Sequence, residues 1–176
     1  MHIAVIGGAF AGEEELRKAE EVGELIARAG AVLVSGGKGG VMEAASRGAR
    51  KAGGLVVGIL PEEDRGQANP YLTVAVATGM GNARNAIIVK TADAVIAVGG
   101  GYGTLSEIGL ALNVGRPVVG LGTWRLERRG ERDPGLVEAD TPEEAVSLAL
   151  GRPGAPEGPR HGRGHGRGEP SSSRPG

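Results

Sequence analysis

The chain has 176 residues, 34 of them glycine and none cysteine, with a formal net charge of −1 at pH 7. That length suits one domain around one core, and the absence of thiols excludes disulfides, thiolate nucleophiles and cysteine-ligated metals. Before residue 161 the only histidine is His2, so histidine-based hydrolase triads and histidine-rich metal sites are excluded too, and no metal site is expected.

In chain order, the first apolar run covers residues 3–6 and closes on Gly7-Gly8. It lacks a basic leader and runs into Glu13, Glu14 and Glu15, so it does not read as a signal peptide. Helical spacing over 13–29 leads to a second apolar run at 31–34, which breaks into Ser35-Gly36-Gly37-Lys38-Gly39-Gly40 before helical spacing resumes over 41–52. Strand-length runs follow at 55–60 and 72–77, then a helical stretch over 82–91, then a strand at 94–98. That strand ends in Gly99-Gly100-Gly101-Tyr102-Gly103, a helix is predicted over 104–114, and a further strand at 117–121. Thr141-Pro142-Glu143-Glu144 reads as the start of a last helix, with a threonine cap, proline in the first turn and a glutamate completing a capping box.

Continuous apolar strands alternating with amphipathic helices predict an α/β domain with a mostly parallel sheet and helices on both faces. From residue 151 onward the sequence offers a core only Ala155, so a folded domain over 1–150 and a disordered Gly/Pro/Arg-rich tail over 151–176 are expected. The tail carries five arginines against two glutamates, leaving about −4 on the body. A negative body speaks against a broad nucleic-acid face, and Phe10, Tyr71 and Trp124 are too scattered for a base-stacking platform. No run is long enough to cross a bilayer, and a cytoplasmic location is expected.

In open parallel sheets, ligands bind beyond the carboxyl ends of the strands where the crossover direction reverses. Three glycine-rich turns are predicted at that edge, after the first, second and fifth strands. Glycine lets backbone N–H groups close on an anion, and a helix start adds unpaired donors and a positive dipole end. A nucleotide or another phosphorylated ligand is the expected guest. The ATPase P-loop pattern is absent, since Lys38 is followed by Gly39, and no full Gly-x-Gly-x-x-Gly opens a helix.

The combination of Gly100-Gly101-Tyr102-Gly103-Thr104-x-x-Glu107, Arg84 placed 23 residues before the glutamate, and Gly-Gly-Lys-Gly-Gly-Val-Met at 36–42 resembles the LOG family of nucleoside 5′-monophosphate phosphoribohydrolases, long misnamed lysine decarboxylases. The wording Met80-Gly81-Asn82-Ala83-Arg84-Asn85, followed by the run from Val98 to Gly109, is closer to the branch that contains the molybdenum cofactor carrier proteins. The likeness spans about residues 2–121. In the hydrolases the signature is Pro-Gly-Gly-x-Gly-Thr-x-x-Glu with an upstream Arg-Lys pair; here Gly99 stands at the proline and Asn85 at the lysine. Asn82 and Gly81 stand where the hydrolases commonly have histidine and methionine.

The resemblance implies a single Rossmann-like domain that assembles as a homodimer or homotetramer. It implies that Glu107 supplies a carboxylate and Arg84 acts beside the leaving group or ribose, as the catalytic pair for cleaving the N-glycosidic bond of a purine monophosphate. Gly100, Gly101, Gly103 and Thr104 would hold phosphate, with Gly8, Gly36, Gly37, Lys38 and Tyr102 contributing to the nucleotide site. Hydrolysis of this kind needs no cofactor. The alternative is a non-catalytic carrier of a phosphorylated pterin, with the molybdenum cofactor as cargo. From the residues themselves two readings of Glu107 stand side by side, because Thr104-x-x-Glu107 is also a capping box. Lys38 is equally a phosphate contact or an exposed loop lysine, and Tyr102 either stacks on a base or covers the next helix.

Overall fold

The computed structural model describes residues 1–151; the tail predicted beyond them lies outside the described residues. Seven parallel strands form one sheet, built from β1 (His2–Gly7), β2 (Val32–Ser35), β3 (Val56–Leu60), β4 (Val74–Ala77), β5 (Ala94–Val98), β6 (Val118–Leu121) and, after a two-stranded hairpin of β7 (Glu127–Arg128) and β8 (Glu131–Arg132), β9 (Leu136–Ala139). The order across the sheet is β4-β3-β2-β1-β5-β6-β9. The chain walks outward from β1 to β4, returns to lay β5 beside β1 with Ile3 opposite Ala94, and then walks the other way. The reversal falls between β1 and β5, the position at which open α/β sheets offer a crevice.

The strands are apolar on both sides because both faces are covered. Ile3, Val5, Ile96 and Val98 pack against α1 (Glu13–Arg28), α2 (Val41–Lys51) and α5 (Pro142–Ala149). Ala4, Ile6, Val95 and Ala97 pack against α3 (Asn85–Thr91) and α4 (Tyr102–Asn113). α1 and α2 approach until their backbones touch: a Cβ at Gly48 would lie 1.8 Å from the Glu20 carbonyl oxygen, and one at Gly23 would lie 2.0 Å from that of Ala45. Glu20 also reaches across to Arg47 and Lys51 of α2.

Several boundaries differ from the sequence expectation. The helix predicted from 82 starts as a 3₁₀ turn, Gly81–Arg84, and becomes α-helical only at Asn85. α4 starts two residues early, at Tyr102, because Gly101 takes the N-cap position. At α5 the threonine half of the predicted box forms, Thr141 Oγ1 accepting from the Glu144 amide at 3.2 Å, whereas the Glu144 carboxylate takes the amide of Asp140 at 2.9 Å. Among the described residues no helix is long and apolar enough to cross a membrane.

Candidate functional site

All three glycine-rich turns lie at the carboxyl edge of the sheet, since the strands they follow are parallel, but they serve different ends. The turns after β1 and β2 are closed by the protein itself. The Val41 amide donates to the Gly8 carbonyl at 3.0 Å, and a Cβ at Gly40 would lie 2.3 Å from that same oxygen. Gly8 faces the Phe10 carbonyl, Gly37 faces Leu60, and Gly36 faces the Arg84 guanidinium, where a Cβ would come within 2.4 Å of Nη1. These glycines let neighbouring backbone and the arginine approach closely.

The turn after β5 is closed at one end and open at the other. Gly99, at φ +52°, lies against the Glu15 carboxylate, and Gly100, at φ +93°, against the Thr104 side chain. At Gly101 and Gly103 a Cβ would meet nothing within 4 Å among the described residues. The positive φ at Gly99 also explains the departure from the hydrolase signature, since proline is locked near −65°. Among the described residues no side chain caps α4, and its first turn holds no acidic residue. α1 opposes its own dipole end with Glu13, Glu14 and Glu15, and α2 carries Glu43. Of these three helices opening at the edge, α4 therefore presents the favourable end for an anion, with the amides of Tyr102, Gly103 and Thr104 ahead of the first helical bond, from Leu105 to Gly101 at 3.0 Å.

Arg84 and Glu107 come together in the layer of α3 and α4. Each is only 8% exposed. Burial raises the Glu107 carboxyl from 4.5 to about 7, with the Arg84 charge pulling the other way. Burial depresses Arg84, opposed by Glu107 and then Glu62, and its Nε is buried without a hydrogen-bond partner among the described residues. The capping-box reading of Glu107 fails: Gly101 is the N-cap, so Glu107 lies in the second turn of α4 and its carboxyl is held in the protein interior. Lys38 is engaged by Glu62 through Oε1 and by Gln67 Oε1 at 2.6 Å, while Glu62 Oε2 is buried without a partner among the described residues. Lys38, chiefly by its hydrogen bond, and Arg84 by its charge hold Glu62 below the usual carboxylate range. Charges thus alternate through Lys38, Glu62, Arg84 and Glu107.

Sequence reasoning passed over three contributors to this edge. Trp124, counted as isolated, lies with its ring centroid 5.5 Å from that of Tyr102, and its indole Nε1 donates to the Gly101 carbonyl at 3.1 Å. Thr123 Oγ1 donates to the Gly99 carbonyl, so the loop after β6 is stitched to the glycine turn. Glu15, with Gly99, Gly100, Gly122, Thr123 and Trp124, lines an open cavity of about 280 Å³ that neither Arg84 nor Glu107 lines. Tyr102, beside Trp124, is 82% exposed and does not line this cavity. The signal that could have found Trp124 was its place three residues after the sixth strand, at the edge where the glycine turns gather. Among the described residues no three His, Cys, Asp or Glu side chains are grouped to hold a metal.

A parallel sheet reversing at β1 and β5, with glycine turns along its carboxyl edge and helices on both faces, defines a Rossmann-like α/β fold. The chain belongs to the SLOG cluster4 family, whose model matches residues 1–146. It is 47% identical over 154 residues to an uncharacterized protein of Archaeoglobus fulgidus, covering 85% of this chain and 95% of that one. Among solved structures it is similar to the molybdenum cofactor binding protein of Rippkaea orientalis, at 38% identity and a TM-score of 0.76, covering 85% and 95% of the two chains. A shorter match, 34% identical over 87 residues, is to a probable cytokinin riboside 5′-monophosphate phosphoribohydrolase of rice; it covers 48% of this chain and 38% of that protein. The expected LOG-like fold, close to the branch of molybdenum cofactor carriers, is thereby borne out.

Proposed function

We propose that this protein binds a phosphorylated, nucleotide-like small molecule, with the phosphate on the first-turn amides of α4. The observation that carries this reading is the open backbone at Gly101 and Gly103, in front of a helix start without acidic residues or a side-chain cap. Thr104, also in this turn, is held by packing on Gly100. The names of the Rippkaea and rice proteins, a cofactor binder and a nucleoside monophosphate hydrolase, support a phosphorylated ligand in both directions.

Two outcomes for that ligand have separate support. Arg84 and Glu107 support cleavage of the N-glycosidic bond of a purine nucleoside 5′-monophosphate. That reaction develops positive charge on the ribose, which a buried carboxylate stabilises, and negative charge on the base, which a buried guanidinium meets. Phosphate binding away from the reacting carbon would position the sugar between them. Retention without cleavage, as in a carrier, is supported by the cavity beside the glycine turn, which neither residue of the pair lines.

Incubation of the purified protein with AMP separates these outcomes. Equilibrium dialysis is expected to show AMP retained and displaced by inorganic phosphate; absence of retention overturns the binding reading. If the bond is cleaved, adenine and ribose 5-phosphate appear at a rate that rises with pH through about 7, as Glu107 ionises, and Glu107→Ala abolishes it. Release no faster than in Glu107→Ala discards hydrolysis and leaves the carrier.

A further inference from the structure

The two edges of the sheet are finished differently. At one edge β9 carries Glu138, which pairs with Arg125 and Arg132, and a charge on an edge strand discourages another strand from adding to it. At the other edge β4 is bonded to β3 alone among the described residues. From Thr73 to Thr78 its sequence, Thr-Val-Ala-Val-Ala-Thr, has no charge, proline or glycine. Val74 is 51% and Val76 41% exposed. They stand opposite Val57 and Ile59 of β3, and so extend outward the apolar row that packs on the α3 and α4 face. The backbone is open as well. The Thr73 amide donates to the Val56 carbonyl at 2.8 Å, and alternation along the strand turns the amides and carbonyls of Val74 and Val76 away from β3.

We infer that β4 pairs with β4 of a second copy of this chain, antiparallel about a twofold axis at Ala75, joining two seven-stranded sheets into one. The outward groups decide the register. Val74 of each copy lies opposite Val76 of the other, and each such pair exchanges two amide-to-carbonyl bonds. At the axis the two Ala75 residues form the closely spaced pair between them, where a small side chain fits. Charge selects the antiparallel sense. At the start of β4, Arg50 reaches Thr73 Oγ1 at 3.5 Å; past its end Glu63 lies beside Gly79, where a Cβ would come 3.2 Å from the Glu63 Cγ. Both residues are exposed, and neither makes an ion pair among the described residues. Antiparallel pairing brings the Arg50 end of one copy to the Glu63 end of the other, at both ends of the seam. Parallel pairing would set like charge beside like. Because the paired strands oppose, the two carboxyl edges point in opposite directions, and each copy keeps its own candidate site.

Sedimentation velocity of the full chain over a concentration series measures the assembly. The wild type is expected to dimerise reversibly. Val76→Lys, at an exposed position, is expected to raise the dimer dissociation constant about tenfold or more, as a charge on the seam does. Arg50→Glu and Glu63→Arg each turn two attractions into two repulsions and are expected to weaken the dimer about tenfold. The double variant exchanges the signs and restores the attraction, so it is expected to return to within about threefold of the wild type. That rescue requires the two residues to meet across the seam, and it carries the test should Val76→Lys fail to fold. A wild type that stays monomeric at millimolar concentration overturns the inference. So does a dimer indifferent to Val76→Lys, or a double variant as weak as the single ones. A larger assembly that Val76→Lys reduces to half its mass supports it, with β4 as one of two interfaces.

Discussion

At pH 8 the Glu107→Gln variant is expected to unfold at a higher temperature than the wild type, while at pH 5 the two are nearly equal. The Glu107 carboxyl sits at about 7 in the folded protein against 4.5 when solvated, because burial disfavours its charge more than Arg84 compensates. The folded state therefore favours the proton. Its stabilising contribution is complete below pH 4.5 and disappears as pH rises through 7, at roughly 1.4 kcal/mol per pH unit, or about 3 kcal/mol in all. Glutamine mimics the protonated acid and removes this slope. Glu20 contributes in the opposite sense: bonds from Arg47 and then Lys51 hold it at about 2, so its contribution is present above 4.5 and is lost only as pH falls toward 2. Between pH 5 and 8 it is silent. Thermal melts across that range, at about 2–4 °C per kcal/mol for a domain of this size, check the expectation; parallel profiles for variant and wild type would contradict it. The same carboxyl is the one for which hydrolysis requires the ionised form, so stability and any turnover would change with pH in opposite directions.

Gly48→Ala is expected to destabilise the fold by about 3 kcal/mol or more, although alanine is the better helix former by about 1 kcal/mol. The obstacle is the backbone. The new methyl carbon would lie 1.8 Å from the Glu20 carbonyl oxygen, while Gly23 meets the Ala45 carbonyl in a mirrored contact, so neither helix can yield without moving away from the other. Separation would open the packing of Ala19, Val22 and Ile26 against Ala44, Ala45 and Ala49. Chemical denaturation of Gly48→Ala and Gly23→Ala measures the loss. A midpoint at or above that of the wild type would show that the close crossing is not required.

Much of the fold was legible because its strands are buried on both faces. Ala94-Val95-Ile96-Ala97-Val98 is fully buried, so its sequence carries no polar interruption and its end is marked by glycine. The edge of the sheet was harder to read. β9, Leu136-Val137-Glu138-Ala139, contains a glutamate that pairs with Arg125 and Arg132 at the surface, which breaks the apolar run. The β7–β8 hairpin turns on Arg129-Gly130, at φ +57° and +83°, a primed turn without the asparagine or aspartate that normally announces one.

The candidate site was legible in part, for a related reason. Glycine marks close approach in sequence, but it does not say what approaches. At Gly36 it is the Arg84 guanidinium, at Gly40 the backbone of the first turn, and at Gly101 open space. The proximity of Arg84 to Glu107 followed from family resemblance rather than spacing, and the fixing of Trp124 against the glycine turn depends on β5 and β6 pairing side by side, which brings the loops after them together. The local pattern at Thr104 and Glu107 left a capping reading open beside the site reading, because sequence alone does not show that Gly101, a residue without a side chain, begins the helix and shifts its frame.

The amides of Tyr102, Gly103 and Thr104 are the proposed seat of a phosphate. Amide proton and nitrogen NMR shifts of the full chain, followed while inorganic phosphate and then AMP are added, test this directly. These three resonances are predicted to move saturably, with the amides of Glu13, Glu14 and Glu15 unmoved. Unchanged positions for 102–104 at millimolar concentrations of both compounds, or saturable movement confined to another helix start, would contradict it.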